Sequence, residues 1–481
     1  MNKKKEVKLL RTGEIECSFN GESTVVGFDS KKISALTDKL SSEVAGFGLG
    51  SDYANEIYLL FYFKLCEWSV QLDDLHCEDI KTGVGGVQGV LWRSMLKGRR
   101  GLPVYTLIRD YFRSVILTIM AFSVVVIGGL LSPMYVLWQT FMLGKGGSLS
   151  SRACIVRSSA TYSKMCLIKD DLNMDLYAED IAYKKTNLSS MFSLLSVNAS
   201  FYSVLKIPFI VGRDFCSILR DAYILLGFQC VGDIVWYFSR RIVVKAIYEI
   251  TFIELCRLGS VKSIYTGNKE DRYAMLESRI ASNNNKELIC IPHGLEYSIK
   301  FPGGVAGDIF YSTSQVSAEC LNKLYGTTKF VYDQALMNRI FSRACLAVDN
   351  EGKGKKVVYF SESRDTHVNL SIVKTLYNLG VDFSVKLHPK DSKSNYSHIG
   401  FNLIFIDDYV DAICNRICVA RKSTVLLEAL FNGSISIAYL ENSKDKYYVE
   451  HLFPSLQAKG IKQVFCESDL KEELSLILEG K

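Results

Sequence analysis

The chain has 481 residues, too many for one ordinary domain and suited to two to four. With 48% hydrophobic and 22% charged residues it is globular, which excludes a disordered or fibrous chain, and seven prolines argue against linker-rich designs. The net charge of +6 is spread over charges of both signs, too mild to imply nucleic acid, although a local basic patch could meet anionic lipid.

The start, MNKKKEVKLLRTGEIEC, is basic but has no apolar run behind it, so no signal peptide is expected. Fourteen cysteines lie scattered from Cys17 to Cys466, mostly inside apolar stretches, which suits free thiols in a reducing compartment. Cys414 and Cys418 stand one helical turn apart, but no histidine is near enough to complete a metal site. The glycine-rich GVGGVQG at Gly83–Gly89 lacks a strand–turn–helix context and reads as a loop.

Ser114–Leu143 holds thirty residues without a charge. About twenty apolar residues suffice to cross a bilayer, so the segment is a membrane candidate; the plainer alternative is a buried core helix with its following strand. Gly128, Gly129 and Pro133 split it into halves too short to span, which predicts a hairpin dipping into one leaflet. Basic residues flank both sides, with Lys97, Arg99, Arg100, Arg109 and Arg113 before it and Lys145, Arg152 and Arg157 after it. That symmetry predicts association with the cytoplasmic face of the inner membrane without crossing.

Residues 150–340 read as mixed α/β. VKSIYTG, a helix, and ELICIPHG form a strand–helix–strand unit that delivers His293 to a strand end. GDIFYSTSQVSAECLNKLYG repeats the theme, and Asp333 to Lys353 is expected to cross to the next domain. From Lys355 onward the strands KKVVYFSE, VDFSVKLHP, NLIFIDD, ICVAR and SISIAYL alternate with helices, which predicts a parallel, doubly wound sheet.

Ligands of such sheets bind beyond the carboxyl ends of the strands. Ser361, Glu362, Ser363 and Arg364 follow the first strand, His388 and Pro389 the second, Asp407 and Asp408 the third, and Arg421, Lys422, Ser423 and Thr424 the fourth. Hydroxyls opening a helix beside basic residues suit a phosphate, although Ser423 and Thr424 alone would be read as a plain N-cap. Dinucleotide, P-loop, zinc-protease and nucleophile-elbow motifs are all missing. His76, His367, His398 and His451 have no comparable context and default to surface or packing roles.

KLHPK at Lys386–Lys390 followed by KSTVLLEAL at Lys422–Leu430 resembles the two motifs of bacterial sialyltransferases and related transferases that use CMP-activated sugars. IPHG is similar to the histidine–glycine motif of CDP-glycerol polymerases and capsule-polysaccharide transferases. The resemblance covers about residues 260–445 and leaves the first 150 unmatched. It implies a GT-B architecture, two Rossmann-type domains facing a cleft. Residues 1–113 and 144–340 would make the acceptor-side α/β domain, interrupted by the membrane hairpin at 114–143, and residues 355–481 the donor-binding domain.

The resemblance further implies that His388 contacts the donor phosphate beside Pro389, that Ser423 and Thr424 hold it, and that Glu428 binds ribose hydroxyls. Sialyltransferases of this type take their base from an acidic-acidic-glycine motif, which the amino-terminal half lacks. His293 could serve instead, as the matching histidine is thought to in the polyol-phosphate polymerases, with Glu296 and Glu362 next in line. Glycosyl transfer needs such a base and positive groups on the departing phosphate; Arg364 and Arg421 suit the latter, and no metal or other cofactor is expected. The favoured expectation is a membrane-associated glycosyltransferase moving a sugar from a nucleotide-activated donor, CMP-linked by resemblance, to a surface polysaccharide or lipid-linked glycan. A CDP-polyol phosphate transferase, a UDP-sugar glycosyltransferase and an inactive membrane-bound assembly protein stay open.

Overall fold

The computed structural model describes residues 6–10, 14–19, 22–43, 47–73, 79–81, 85–96, 104–143, 150–179, 191–197, 200–292, 294–343, 356–363, 366–441 and 443–479. The chain divides into two compact units, Met1–His293 with Ile299–Phe310, and Gly294–Ser298 with Tyr311–Lys481.

The first unit opens on a small mixed sheet, β1 (Glu6–Leu9), β2 (Ile15–Phe19), β3 (Glu22–Val25) and β4 (Asp79–Lys81), ordered β3-β2-β1-β4. A larger sheet contains β5 (Arg152–Val156), β6 (Met174–Ala178), β7 (Phe192–Ser193), β8 (Ser263–Thr266), β9 (Glu287–Cys290), β10 (Ile309–Tyr311) and β11 (Phe330–Val331). Its order is β11-β10-β9-β8-β5-β6-β7, and the pairs from β10 through β7 are parallel. The strand order reverses between β5 and β8, the switch point of a doubly wound sheet.

The second unit carries β12 (Val357–Phe360), β13 (Phe383–Lys386), β14 (Ile404–Phe405), β15 (Ile417–Ala420), β16 (Ile435–Tyr439) and β17 (Ile461–Val464). All pairs are parallel in the order β14-β13-β12-β15-β16-β17, so the switch falls between β12 and β15. The strands are apolar on both faces because both are covered. Val357, Tyr359, Ile417, Val419, Ile437 and Tyr439 pack against the helices Thr366–Asn378 and Glu467–Leu478. Their neighbours Val358, Phe360, Cys418, Ala420 and Ala438 point the other way, onto Val425–Leu430. Both large sheets are therefore of the Rossmann type that the sequence predicts.

Three expectations are corrected here. Ser114–Leu143 is no hairpin but part of one continuous helix, Val104–Leu143, of 40 residues. Its glycines serve contact with neighbouring helices rather than a turn: a Cβ at Gly128 would lie 2.7 Å from Val243, and one at Gly129 would lie 3.3 Å from Val211. Pro133 cannot donate to the Gly129 carbonyl, and the Ser132 hydroxyl does so instead at 3.1 Å, which lets the helix continue. Gly86–Met95, which includes most of the glycine-rich run, is a helix rather than a loop. Cys414 is disulfide-bonded rather than a free thiol.

The division between units also falls earlier than residue 340. Glu296 explains it: 2% exposed, it accepts hydrogen bonds from the Thr313 N–H (2.7 Å), the Thr313 hydroxyl (2.8 Å), Ser317 (3.1 Å) and Ser455. These bonds draw the Gln315–Tyr325 helix into the second unit.

The first unit is helix-rich on one side. Ile207–Leu226 and Phe228–Arg257 pack along the 40-residue helix, and a Cβ at Gly232 would overlap the Ser114 backbone carbonyl. Ser114 is inserted there, donating to the Phe228 carbonyl at 2.8 Å and accepting from the Gly232 N–H at 2.9 Å.

Candidate functional site

In the second sheet the carboxyl ends of β12 and β15 meet at the switch point, and that of β13 lies on the other side of β12. Ser361 and Glu362 leave β12, and the Ser361 hydroxyl accepts from the His388 N–H at 3.0 Å, tying the end of β13 to it. Across the switch, Arg421 donates to Glu362 at 2.9 Å. Arg421 also grips Asp445 in a two-pronged pair at 2.7 and 2.6 Å, and Lys422 adds a third cationic contact at 2.9 Å. Burial alone would raise the Asp445 carboxyl; these cations outweigh it and hold the group below the ordinary aspartate range.

His388 opens a turn in which Pro389 takes the second position and the Asp391 N–H returns to the His388 carbonyl at 2.8 Å. Its Nδ1 accepts from the Lys390 N–H at 3.1 Å, which places the ring proton on Nε2. Partial burial lowers its pKa below the usual histidine value, Lys390 pushes the same way, and Asp391 opposes. The imidazole is thus neutral near pH 7 and presents Nε2–H as a donor. Behind the turn, Asp391 accepts from Tyr396 and Asn395, both at 2.7 Å; burial raises its pKa, but its hydrogen bonds prevail and leave it lowered.

The other residues singled out from sequence divide by what they touch. Ser423 and Thr424 stand half-buried before the six-residue helix Val425–Leu430; Ser423 accepts only a long bond from Val425 (3.4 Å), and Thr424 makes no capping bond. Arg421 is 3% exposed and held by its acids, so its guanidinium ties strand ends together rather than standing open to a ligand. Glu428 is buried against the Tyr409 hydroxyl (2.8 Å) and Arg343 (3.4 Å), which occupies the carboxylate expected to face a ribose. Glu362 is engaged by Arg421, and Glu296 by its hydroxyl cluster. His293 and Arg364 lie outside the described residues.

Asp445 is the residue that sequence reasoning missed; SKDKYY offers no sign that its aspartate reaches a strand end 24 residues upstream. The first sheet holds a second unforeseen constellation. Arg157, read from sequence as a membrane-flanking cation, leaves β5 and crosses the switch to Asn268 at 3.2 Å. It also binds Glu179 and Asp271, both at 3.1 Å, and stacks on the Tyr273 ring. Below this network Glu277 accepts from Tyr248 (2.5 Å) and Asn268 (2.6 Å), and burial pushes its carboxyl up to about 7, with Tyr248 and Thr266 opposing.

Asp52, Asp214 and Glu249 converge as cation ligands would, but the Lys245 ammonium already sits among them at 2.6, 2.8 and 3.2 Å. Burial alone would lower the lysine; the three carboxylates keep it protonated.

No protein-family model matches the sequence, and no curated protein matches it. Among solved structures, the chain is similar to UDP-GlcNAc 2-epimerase from Neisseria meningitidis bound to UDP-GlcNAc, at 9% identity and a TM-score of 0.41. The match covers 68% of this chain and 91% of that one. At that score the likeness decides neither fold nor function; the strand orders of the chain's own sheets decide the fold.

Proposed function

We propose that the chain is a membrane-associated glycosyltransferase that binds a nucleotide-activated sugar at the carboxyl edge of the second sheet. One observation carries the reading: His388, with a neutral ring donating through Nε2, stands at the carboxyl end of β13, on the same edge of a doubly wound sheet as Ser423 and Thr424 after β15, with only β12 between the two strands. A phosphate there would accept from Nε2–H and from the two hydroxyls, while Arg421, Asp445 and Glu362 hold the strand ends in place. The motif resemblance favours a CMP-linked donor. His293 is the proposed base, since Glu296 and Glu362 are already engaged.

Membrane association rests on the 40-residue helix. Among the described residues it is the one helix long and apolar enough to cross a membrane, and its most apolar stretch is only 22% buried. At 1.5 Å per residue it is about 60 Å long, roughly twice a bilayer core. Its inner face is fixed along its length to helices that bury Asp233, Lys245 and Glu249, charges that a crossing would carry into lipid. Its outer face exposes Phe112, Ile119, Ile127, Leu130, Met134 and Phe141, and Phe201, Tyr202 and Phe209 add to the apolar surface of the same unit. A helix lying in the interface plane fits both faces.

The test is turnover. The purified protein, supplied with lipid vesicles and CMP-, CDP- and UDP-activated sugars or polyols, should release one nucleotide preferentially. Release from a CDP-polyol would move the assignment to polyol-phosphate transfer, and release from none would favour a non-catalytic assembly protein.

A further inference from the structure

The first unit contains a cavity of about 200 Å³ lined by Tyr135, Glu179, Leu194, Leu195, Val244, Ile247, Tyr248 and Thr251. We propose that it binds the chain-proximal part of a neutral, hydroxyl-bearing lipid, which deepens the functional reading above by giving the acceptor a subsite. Three observations converge on that ligand.

The walls are largely apolar, with Leu194, Leu195, Val244 and Ile247 among them, so they favour an alkyl chain over a sugar or a nucleotide. The wall from Tyr135 belongs to the 40-residue helix, and its neighbour Met134 is 70% exposed on the outer apolar face. The same helix thus supplies both a cavity wall and the outer apolar face. The polar side is set by Glu179, which follows β6 at the carboxyl edge of the first sheet. Around it stand two cations, Arg157 and Arg272, and three carboxylates, Glu179, Asp271 and Glu56, for a net negative charge. An anionic head would be repelled there, whereas a hydroxyl can donate to Glu179, whose oxygens each retain a lone pair beyond the bonds from Arg157 and Tyr273. Glu179 acts in this account as a positioning residue for the head, not as a base.

The test uses the full chain and two eight-carbon probes, monooctanoylglycerol with a neutral hydroxylated head and octanoate with an anionic one, in calorimetric titrations below their micellar concentrations. The glycerol ester should bind at least tenfold more tightly than octanoate. Val244→Trp, which fills the cavity, should weaken it by at least tenfold. Equal affinity for both probes, or unchanged affinity in a folded Val244→Trp, overturns the proposal. Should that variant lose its melting transition, a diazirine-bearing monooctanoylglycerol crosslinked to the unaltered protein decides instead. Labelling at Leu194, Leu195 or residues 244–251 supports the site, and labelling confined to the outer face of the 40-residue helix overturns it. Nucleotide titrations of the same preparations separate the two claims: lipid binding without nucleotide binding would refute the functional reading and leave the cavity assignment intact.

Discussion

The two switch points make a natural comparison. Each sheet winds outward from a central pair, β5 and β8 in one and β12 and β15 in the other. In each, an arginine directly after a central strand bridges the gap, Arg157 to Asn268 and Arg421 to Glu362. The topology thus repeats, and the chemistry diverges in the few residues after each strand. The second sheet places hydroxyls just after its arginine and a neutral histidine two strands away, a donor-rich edge suited to phosphate. The first surrounds its arginine with carboxylates, one of which, Glu179, also lines a largely apolar cavity. Function on a doubly wound sheet is written in those few residues, not in the winding.

Removing the arginines is the strongest way to break the comparison. Arg421→Ala leaves Asp445 and Glu362 without their main partner, and Asp445 is fully buried; stability should fall by about 3–5 kcal/mol in urea unfolding. Arg157→Ala should cost less, because its side chain keeps 19% exposure against 3% and water can reach the vacated site.

Glu277 sharpens the contrast through pH. Its carboxyl rises from 4.5 unfolded to about 7 folded, so the native state holds a proton that the unfolded chain has released. The associated stability is fully present below pH 4.5 and is lost as pH rises through about 7. Over 2.5 pH units of offset the loss is on the order of 3 kcal/mol. Glu277→Gln should remove that limb from a plot of melting temperature against pH, and an unaltered limb would assign it to another group.

At the second switch the effects move from stability to binding. His388→Ala removes a donor to a charged phosphate, worth about 1.5–3 kcal/mol, or roughly ten- to hundredfold in nucleotide affinity. The melting temperature should change little, since the ring is only partly buried and its only described bond is local. Ser423→Ala with Thr424→Ala should have the smallest effect, about 1 kcal/mol. If the loss appears in unfolding and not in nucleotide affinity, the hydroxyls are a cap and nothing more.

Much of the second sheet was legible in the sequence. VVYF, ICVA and SISIAY are short apolar runs bounded by polar residues, and their alternation with helical periods leaves little choice but parallel winding. The residues at the strand ends were legible as positions, not as roles. Whether Arg421 or Glu428 is open to a ligand depends on Asp445 and on Tyr409 with Arg343, which no local pattern predicts. The same limit explains the hairpin. Two glycines and a proline look like a break until Val243 and Val211 are seen to need that space, and Ser132 to serve the orphaned carbonyl.

The most direct measurement is a calorimetric titration of wild type and His388→Ala with CMP, CDP and UDP. The account predicts saturable binding of at least one nucleotide by the wild type, weakened at least tenfold in a His388→Ala protein of unchanged melting temperature. Failure of all three nucleotides to bind, or equal binding by both proteins, would contradict the placement of a nucleotide phosphate at this switch point.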